Sequence, residues 1–144
     1  MKKILPVILI CCLFLAFSKK DENKPSPGSA AYSLPGLWMG TYNVDQVPDQ
    51  GALPYTMIFK PDGTLLAEGK GGDGGTYYTA GNWVIVGDSV KSTFTSINYP
   101  ADYQVTQLSS LYFNNATGEL TGSWKDGDHG SNYSGKYQNL TKVN

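Results

Sequence analysis

The chain has 144 residues, 40% of them hydrophobic, and a formal net charge of −1, which is enough for one core and little more. It contains no arginine, and after residue 33 Asp and Glu outnumber Lys. Nucleic acids and anionic membrane surfaces are recognised through basic side chains, arginine above all, so this charge balance argues against both as partners. We expect no nucleic-acid partner.

The N-terminus has the pattern of an export signal. Lys2 and Lys3 precede an apolar run over residues 4–17, and charged residues resume at Lys19. The run is shorter than a membrane span of about 20 residues. We predict a signal peptide over residues 1–18 and export to the periplasm, the cell surface or the extracellular space. An uncleaved N-terminal anchor is the alternative, and any membrane association is expected through this segment only.

Both cysteines, Cys11 and Cys12, lie inside the apolar run, so the exported part has no thiol or disulfide. The stretch over residues 15–22 resembles the signal of a Bacteroidetes surface lipoprotein, in which a cysteine would follow Ser18. None does here, so we expect soluble export without a lipid anchor. Residues 19–33 are polar and contain Pro25 and Pro27; such a segment cannot offset its ordering entropy and is predicted to be a flexible linker.

Residues 34–144 are predicted to form one domain of eight β-strands, from period-two alternation and turn residues such as Pro61-Asp62-Gly63 and Gly87-Asp88. In chain order the predicted strands are 36–44, 54–60, 64–70, 76–86, 89–97, 103–114, 119–125 and 131–140. Their short links favour antiparallel neighbours, and eight strands are typical of a closed barrel. The predicted fold class is all-β, an eight-stranded antiparallel up-and-down β-barrel. A two-sheet β-sandwich is the alternative.

Two motifs carry a family resemblance. Gly36-Leu37-Trp38, at the start of the first strand, resembles the Gly-x-Trp signature of lipocalins and the wider calycin group, and 132–137 is loosely similar to the avidin side of that group. The nearest description is a lipocalin-like domain of exported Bacteroidetes proteins. The resemblance implies that Trp38 packs at the closed end of the barrel beneath a basic side chain of the last strand. The chain has no arginine, so the resemblance implies that Lys136 or Lys142 supplies the basic side chain over Trp38. The expected structural residues are Gly36, Trp38 and Lys136.

The motifs that could support catalysis are incomplete. His129 is the only histidine, and its neighbours Asp126 and Asp128 do not complete a zinc or calcium site. The glycine-rich segment 71–75 lacks the lysine and the helix of a phosphate loop, and no serine lies in Gly-x-Ser-x-Gly. We expect residues 126–130 to form a solvated loop and residues 71–75 to form a hairpin tip. We expect no catalytic residue, no metal, no cofactor and no enzymatic activity.

Aromatic residues beside the loops favour a binding role, because such rings offer apolar faces with polar tips. The leading hypothesis is a small apolar or aromatic ligand held in a barrel whose mouth lies near segments 71–75 and 99–103. The candidate ligand-binding residues are Tyr77, Tyr78, Trp83, Tyr99 and Tyr103. A fatty-acid carboxylate would lack its usual arginine.

The second hypothesis is a cell-envelope interaction module that contacts a glycan or a partner protein through a surface aromatic patch. The two hypotheses differ in the barrel interior, which would hold no ligand if large side chains filled it. An interior filled by Trp38, Tyr42, Met57, Phe59, Trp83 and Phe113 would refute the leading hypothesis. Under either hypothesis we expect a monomer.

Overall fold

A computed structural model describes residues 33–98, 104–127 and 132–144. The predicted signal peptide and nearly all of the predicted linker lie outside these residues. The strands are β1 (Gly36–Tyr42), β2 (Leu53–Phe59), β3 (Thr64–Lys70), β4 (Thr76–Val86), β5 (Ser89–Ser96), β6 (Thr106–Asn114), β7 (Glu119–Asp126) and β8 (Ser134–Val143), with one 3₁₀ turn at Pro48–Gln50 between β1 and β2.

The eight strands close into a single barrel. Each strand pairs antiparallel with the next in sequence, and β1 also pairs with β8. The predicted up-and-down barrel is therefore confirmed, and the two-sheet β-sandwich is not adopted. Closure gives the backbone groups of both outermost strands a partner and removes the free edges that an open sheet would expose.

Strand β8 departs from the predicted alternation. Its pairing with both neighbours shifts by one residue near Asn139, which adopts a positive φ of 53°. The facing position is Gly40, where an added Cβ would lie 2.6 Å from the Asn139 carbonyl oxygen. This β-bulge inserts a residue into β8. The strand spans Ser134–Val143, whereas the prediction was 131–140.

Glycines let neighbouring strands approach closely inside the barrel. A Cβ on Gly81 of β4 would lie 2.0 Å from the Thr93 carbonyl oxygen, and one on Gly122 of β7 would lie 2.0 Å from the Ser110 carbonyl oxygen. No side chain fits at such distances, so these two positions require glycine.

One end of the barrel is filled by a hydrophobic core. Trp38 is 1% exposed, its Nε1 donates to the Leu34 carbonyl oxygen at 2.8 Å, and its ring meets Phe113 edge-on at 6.2 Å. Other fully buried side chains at this end are Met57, Phe59, Leu65, Val90, Leu111, Leu120 and Leu140. We call this the closed end.

A lysine of the last strand lies beside the closed end. Lys142 is the Cα partner of Trp38, and its Nζ donates to the Ser33 carbonyl oxygen at 2.6 Å. Gly36 has a φ of 138°, and a Cβ there would fall 2.7 Å from Lys142 Cε. Lys136 instead is exposed near the opposite end of β8, so Lys142 is the lysine placed next to Trp38.

Candidate functional site

The other end of the barrel contains a cavity of about 830 Å³. Its lining comes from the last residues of odd-numbered strands, such as Tyr42 and Ser96, and from the first residues of even-numbered strands, such as Tyr55 and Gln107. Up-and-down topology brings these strand ends together at one end of the barrel. The volume lies in the range of small-molecule pockets. We call this the open end.

Aromatic rings form a continuous wall of the cavity. The ring centroids of Tyr42 and Tyr55 are 5.3 Å apart, those of Tyr55 and Tyr137 are 5.0 Å apart, and those of Tyr42 and Trp124 are 6.1 Å apart. The polar tips of two of these rings bond to backbone: the Tyr42 hydroxyl donates to the Lys70 carbonyl oxygen at 2.7 Å, and Trp124 Nε1 donates to that of Asn43 at 3.2 Å. These bonds hold the two rings in place.

Two hydroxyl groups in this lining are buried without a partner. The Tyr55 hydroxyl and Thr79 Oγ1 make no hydrogen bond to any described residue, although the two residues are only 7% and 6% exposed. Leaving a buried polar atom unpaired costs about 1–3 kcal/mol, and most folded proteins avoid it.

Burial keeps the tyrosines of the wall neutral over a wide pH range. It raises the pKa of Tyr55 to about 12. Burial, and then the neighbouring Tyr55, raise the pKa of Tyr137 well above its usual value. The pKa of Tyr42 is raised by burial and then by the charge of Asp73. These groups can therefore donate or accept a hydrogen bond but do not serve as bases near neutral pH.

The loop between β3 and β4 borders the cavity. Gly71 and Gly75 close a tight turn through a backbone bond of 2.9 Å, and the Asp73 carboxylate accepts from the Gly75 amide at 2.8 Å. A Cβ on Gly72 would fall 1.5 Å from the side-chain Nε2 of Gln50, so the β1–β2 connection contacts this loop. Gly71, Gly72 and Asp73 all line the cavity.

The predicted ligand-binding residues lie in different parts of the barrel. Tyr77 lines the cavity. Tyr78 is 45% exposed and its neighbour in the ladder is Glu68, so it lies on the outer surface. Trp83 packs edge-on against Phe59 at 5.8 Å, within the closed half of the barrel. Tyr99 and Tyr103 lie outside the described residues.

Several residues that line the cavity were not among the predicted site residues. They are Tyr42, Tyr55, Thr79, Gln107, Trp124 and Tyr137. Alternation on β2 already indicates that Tyr55 faces inward with Met57 and Phe59. Its place at the start of β2, next to the end of β1, puts it at the open end. Position along the strand was the signal that could have found it.

Within the part of the chain that the structure describes, no three His, Cys, Asp or Glu side chains cluster in a way that could hold a metal ion. His129 and Asp128 lie outside that part. Among residues 33–98, 104–127 and 132–144 no helix has both the length and the apolar character to cross a membrane. The chain matches no protein-family profile, no curated protein and no solved structure.

Proposed function

We propose that this protein binds a small apolar or aromatic molecule inside the open end of its barrel, without enzymatic activity. The observation that carries the proposal is the aromatic wall that lines a cavity of about 830 Å³ at the open end. Ring faces bury the apolar body of a ligand, and a few placed polar groups fix its orientation. The expected export and the resemblance of Gly36-Leu37-Trp38 to the lipocalin signature fit this role.

The interior is only half filled. Trp38, Met57 and Phe59 are fully buried at the closed end, and Trp83 and Phe113 pack against them. Large side chains thus fill one half and leave about 830 Å³ at the other. The volume left at the open end is available for a ligand.

The alternative, a surface that contacts a glycan or a partner protein, finds less support. The exposed tyrosines among the described residues are separated: Tyr78 lies near the start of β4, Tyr112 near the end of β6 and Tyr133 in the β7–β8 connection. Two smaller depressions of about 450 and 430 Å³ lie on the outer face of β6 to β8, and Lys136 lines both. Neither holds an aromatic cluster like that of the cavity.

The test is fluorescence titration with N-phenyl-1-naphthylamine, a neutral apolar dye that brightens in a nonpolar site. We expect saturable binding of one dye per chain. Ser96→Phe places a ring in the cavity and should reduce affinity at least about tenfold by competing for its volume. Thr93 lies on the exposed face of the same strand, so Thr93→Phe is the matched control and should bind normally. Absent binding, or equal binding by both variants, would contradict the proposal.

A further inference from the structure

Half of the lysines of the barrel domain lie on one part of its outer surface. Six lysines follow residue 33, and three of them, Lys91, Lys125 and Lys136, border the two outer depressions. Asp45 is the one acidic residue among the described residues that line these depressions. We call the outward side of β5 to β8 around the three lysines the basic face. It is positively charged on a domain that is acidic overall.

The strand register arranges the basic face in rows across the barrel wall. One row consists of four consecutive partners on β5 to β8, which are Lys91, Ser110, Ser123 and Lys136. Neighbouring strands lie about 4.8 Å apart, so the two lysines at the ends of this row are about 14 Å apart. Lys125 lies in the next row, about 8 Å from Lys136. The short serine side chains leave room for a ligand between the lysines.

The ammonium groups of the basic face are available to a ligand. Lys125 and Lys136 are exposed, and no carboxylate of the described residues forms an ion pair with any of the three lysines. Lys91 Nζ donates to the Ser110 hydroxyl at 2.6 Å, which holds it toward the centre of the row. A neutral hydroxyl does not cancel the charge of Lys91. An anionic ligand would therefore be attracted by all three lysines.

A tyrosine ring and several polar side chains flank the same row. Tyr112 of β6 is 52% exposed, and its ring centroid lies 5.9 Å from Lys91 Nζ. The lining beside this ring contains the exposed residues Thr121, Gln138 and Asn139. Their hydroxyl and amide groups offer hydrogen-bond donors and acceptors, and the tyrosine ring offers an apolar face. Sugars are bound by this combination, because a sugar ring has an apolar C–H face and a rim of hydroxyls.

The composition of the basic face favours a polysaccharide over other large anions. Anionic membranes are typically bound by clusters of about four to eight basic residues, and this face has three lysines. Nucleic acids are recognised chiefly through arginine, which the chain lacks. An extended acidic peptide would add to a free sheet edge, and the described strands close into a barrel without one. An acidic polysaccharide needs spaced cations, hydrogen-bonding side chains and a ring face, which are all present.

We propose that the basic face binds an acidic polysaccharide whose sugar units carry carboxylate groups. Lys91, Lys125 and Lys136 attract the carboxylates, and Tyr112 packs against the apolar face of one sugar ring. The site is separate from the cavity, because these side chains lie on the outer surface of the barrel and the cavity lies inside it. Binding there would hold the protein on an acidic glycan while the open end stays accessible.

The test is isothermal titration calorimetry of the wild-type protein with three octamers. Alginate octasaccharide carries one carboxylate on each sugar, maltooctaose is a neutral sugar chain, and octaglutamate carries carboxylates without sugar rings. We expect saturable binding of alginate that weakens when NaCl is raised from about 0.05 M to about 0.3 M, because salt screens exposed charges. Maltooctaose lacks the charges and octaglutamate lacks the rings, so each should bind at least about tenfold more weakly.

Variants then locate the binding site. Lys91→Gln and Lys136→Gln should each lower the affinity for alginate by about threefold, the effect of one exposed charge. Lys60 lies in the β2–β3 connection, away from β5 to β8, so Lys60→Gln is the control with the same change of charge. Tyr112→Ala should lower the affinity by about fivefold, whereas Tyr112→Phe keeps the ring and should bind normally.

The outcomes decide between the possible partners. If alginate does not bind, or octaglutamate binds as tightly, the polysaccharide proposal is wrong, and the second result would indicate an acidic protein partner instead. If Lys60→Gln weakens binding as much as Lys136→Gln, the site is not the basic face and the proposal is again wrong. Dye binding in the cavity does not depend on these results, so the proposed function stands or fails on its own test.

Discussion

Replacing Tyr55 with phenylalanine removes one oxygen atom from the barrel and leaves the ring in its place. The hydroxyl makes no hydrogen bond to any residue of the described ranges, and the side chain is 7% exposed. The wild-type protein therefore loses the hydration of this group on folding and gains little in return, at a cost of about 1–3 kcal/mol. We expect Tyr55→Phe to raise the free energy of unfolding by about 1–2 kcal/mol, within that range.

Tyr42→Phe is the matched control, because it makes the same chemical change on a ring 5.3 Å away. The Tyr42 hydroxyl donates to the Lys70 carbonyl oxygen at 2.7 Å, so its removal breaks a formed hydrogen bond. We expect this variant to be destabilised by about 0.5–1.5 kcal/mol. The two substitutions should therefore change stability in opposite directions.

Urea denaturation followed by circular dichroism measures both changes, and the melting temperatures should move by about 4 °C for each kcal/mol. Destabilisation of Tyr55→Phe by 1 kcal/mol or more would refute the reasoning. It would mean that the hydroxyl already makes a stabilising bond in the free protein.

Three further outcomes follow from the burial and the close contacts. Tyr55 alone should lower the free energy of unfolding by about 1.4 kcal/mol per pH unit between pH 10 and 12. The unfolded tyrosine loses its proton near pH 10, while the folded one keeps it to about 12. Urea titrations of wild type and Tyr55→Phe check this, and an equal loss of stability in both would contradict it. Gly81→Ala should lower the free energy of unfolding by about 3 kcal/mol or more, since its Cβ would meet the Thr93 carbonyl oxygen at 2.0 Å. Gly118 has open space around it but a φ of 73°, so Gly118→Ala should lower it by about 1–2 kcal/mol. Similar melting temperatures of the two variants would argue against tight strand contact. Trp38 is buried in the core, so Trp38→Ala should lower the free energy of unfolding, measured by calorimetry, by about 3–5 kcal/mol. A decrease below 1 kcal/mol would contradict that position.

Much of the fold could be predicted from the sequence, because alternation and turn residues are local signals. The bounds of β3 and β4 agree with prediction, since glycines at Gly63, Gly71 and Gly87 end the strands on either side. The end of β8 was misjudged because the bulge at Asn139 breaks the alternation. A bulge depends on how a strand fits both neighbours, and neither neighbour is visible in a local window.

The cavity was harder to predict than the barrel. Alternation indicates that a residue faces inward but not whether it lies at the filled or the open end. Trp83 and Tyr77 face the same interior from one strand, yet Trp83 packs on Phe59 while Tyr77 lines the cavity. The difference is their position along β4. Whether the hydroxyls of Tyr55 and Thr79 find hydrogen-bond partners depends on the distances between strands, which no sequence pattern specifies.

The most direct test of the central claim is to map the binding site by NMR, using indole at millimolar concentration and ¹⁵N-labelled protein. We predict shifts of backbone amides at the open end, among them Gly69, Thr79 and Ser96, while amides around Trp38 at the closed end stay unchanged. Shifts confined to the outer face around Tyr112, or no saturable shifts at all, would contradict ligand binding inside the barrel.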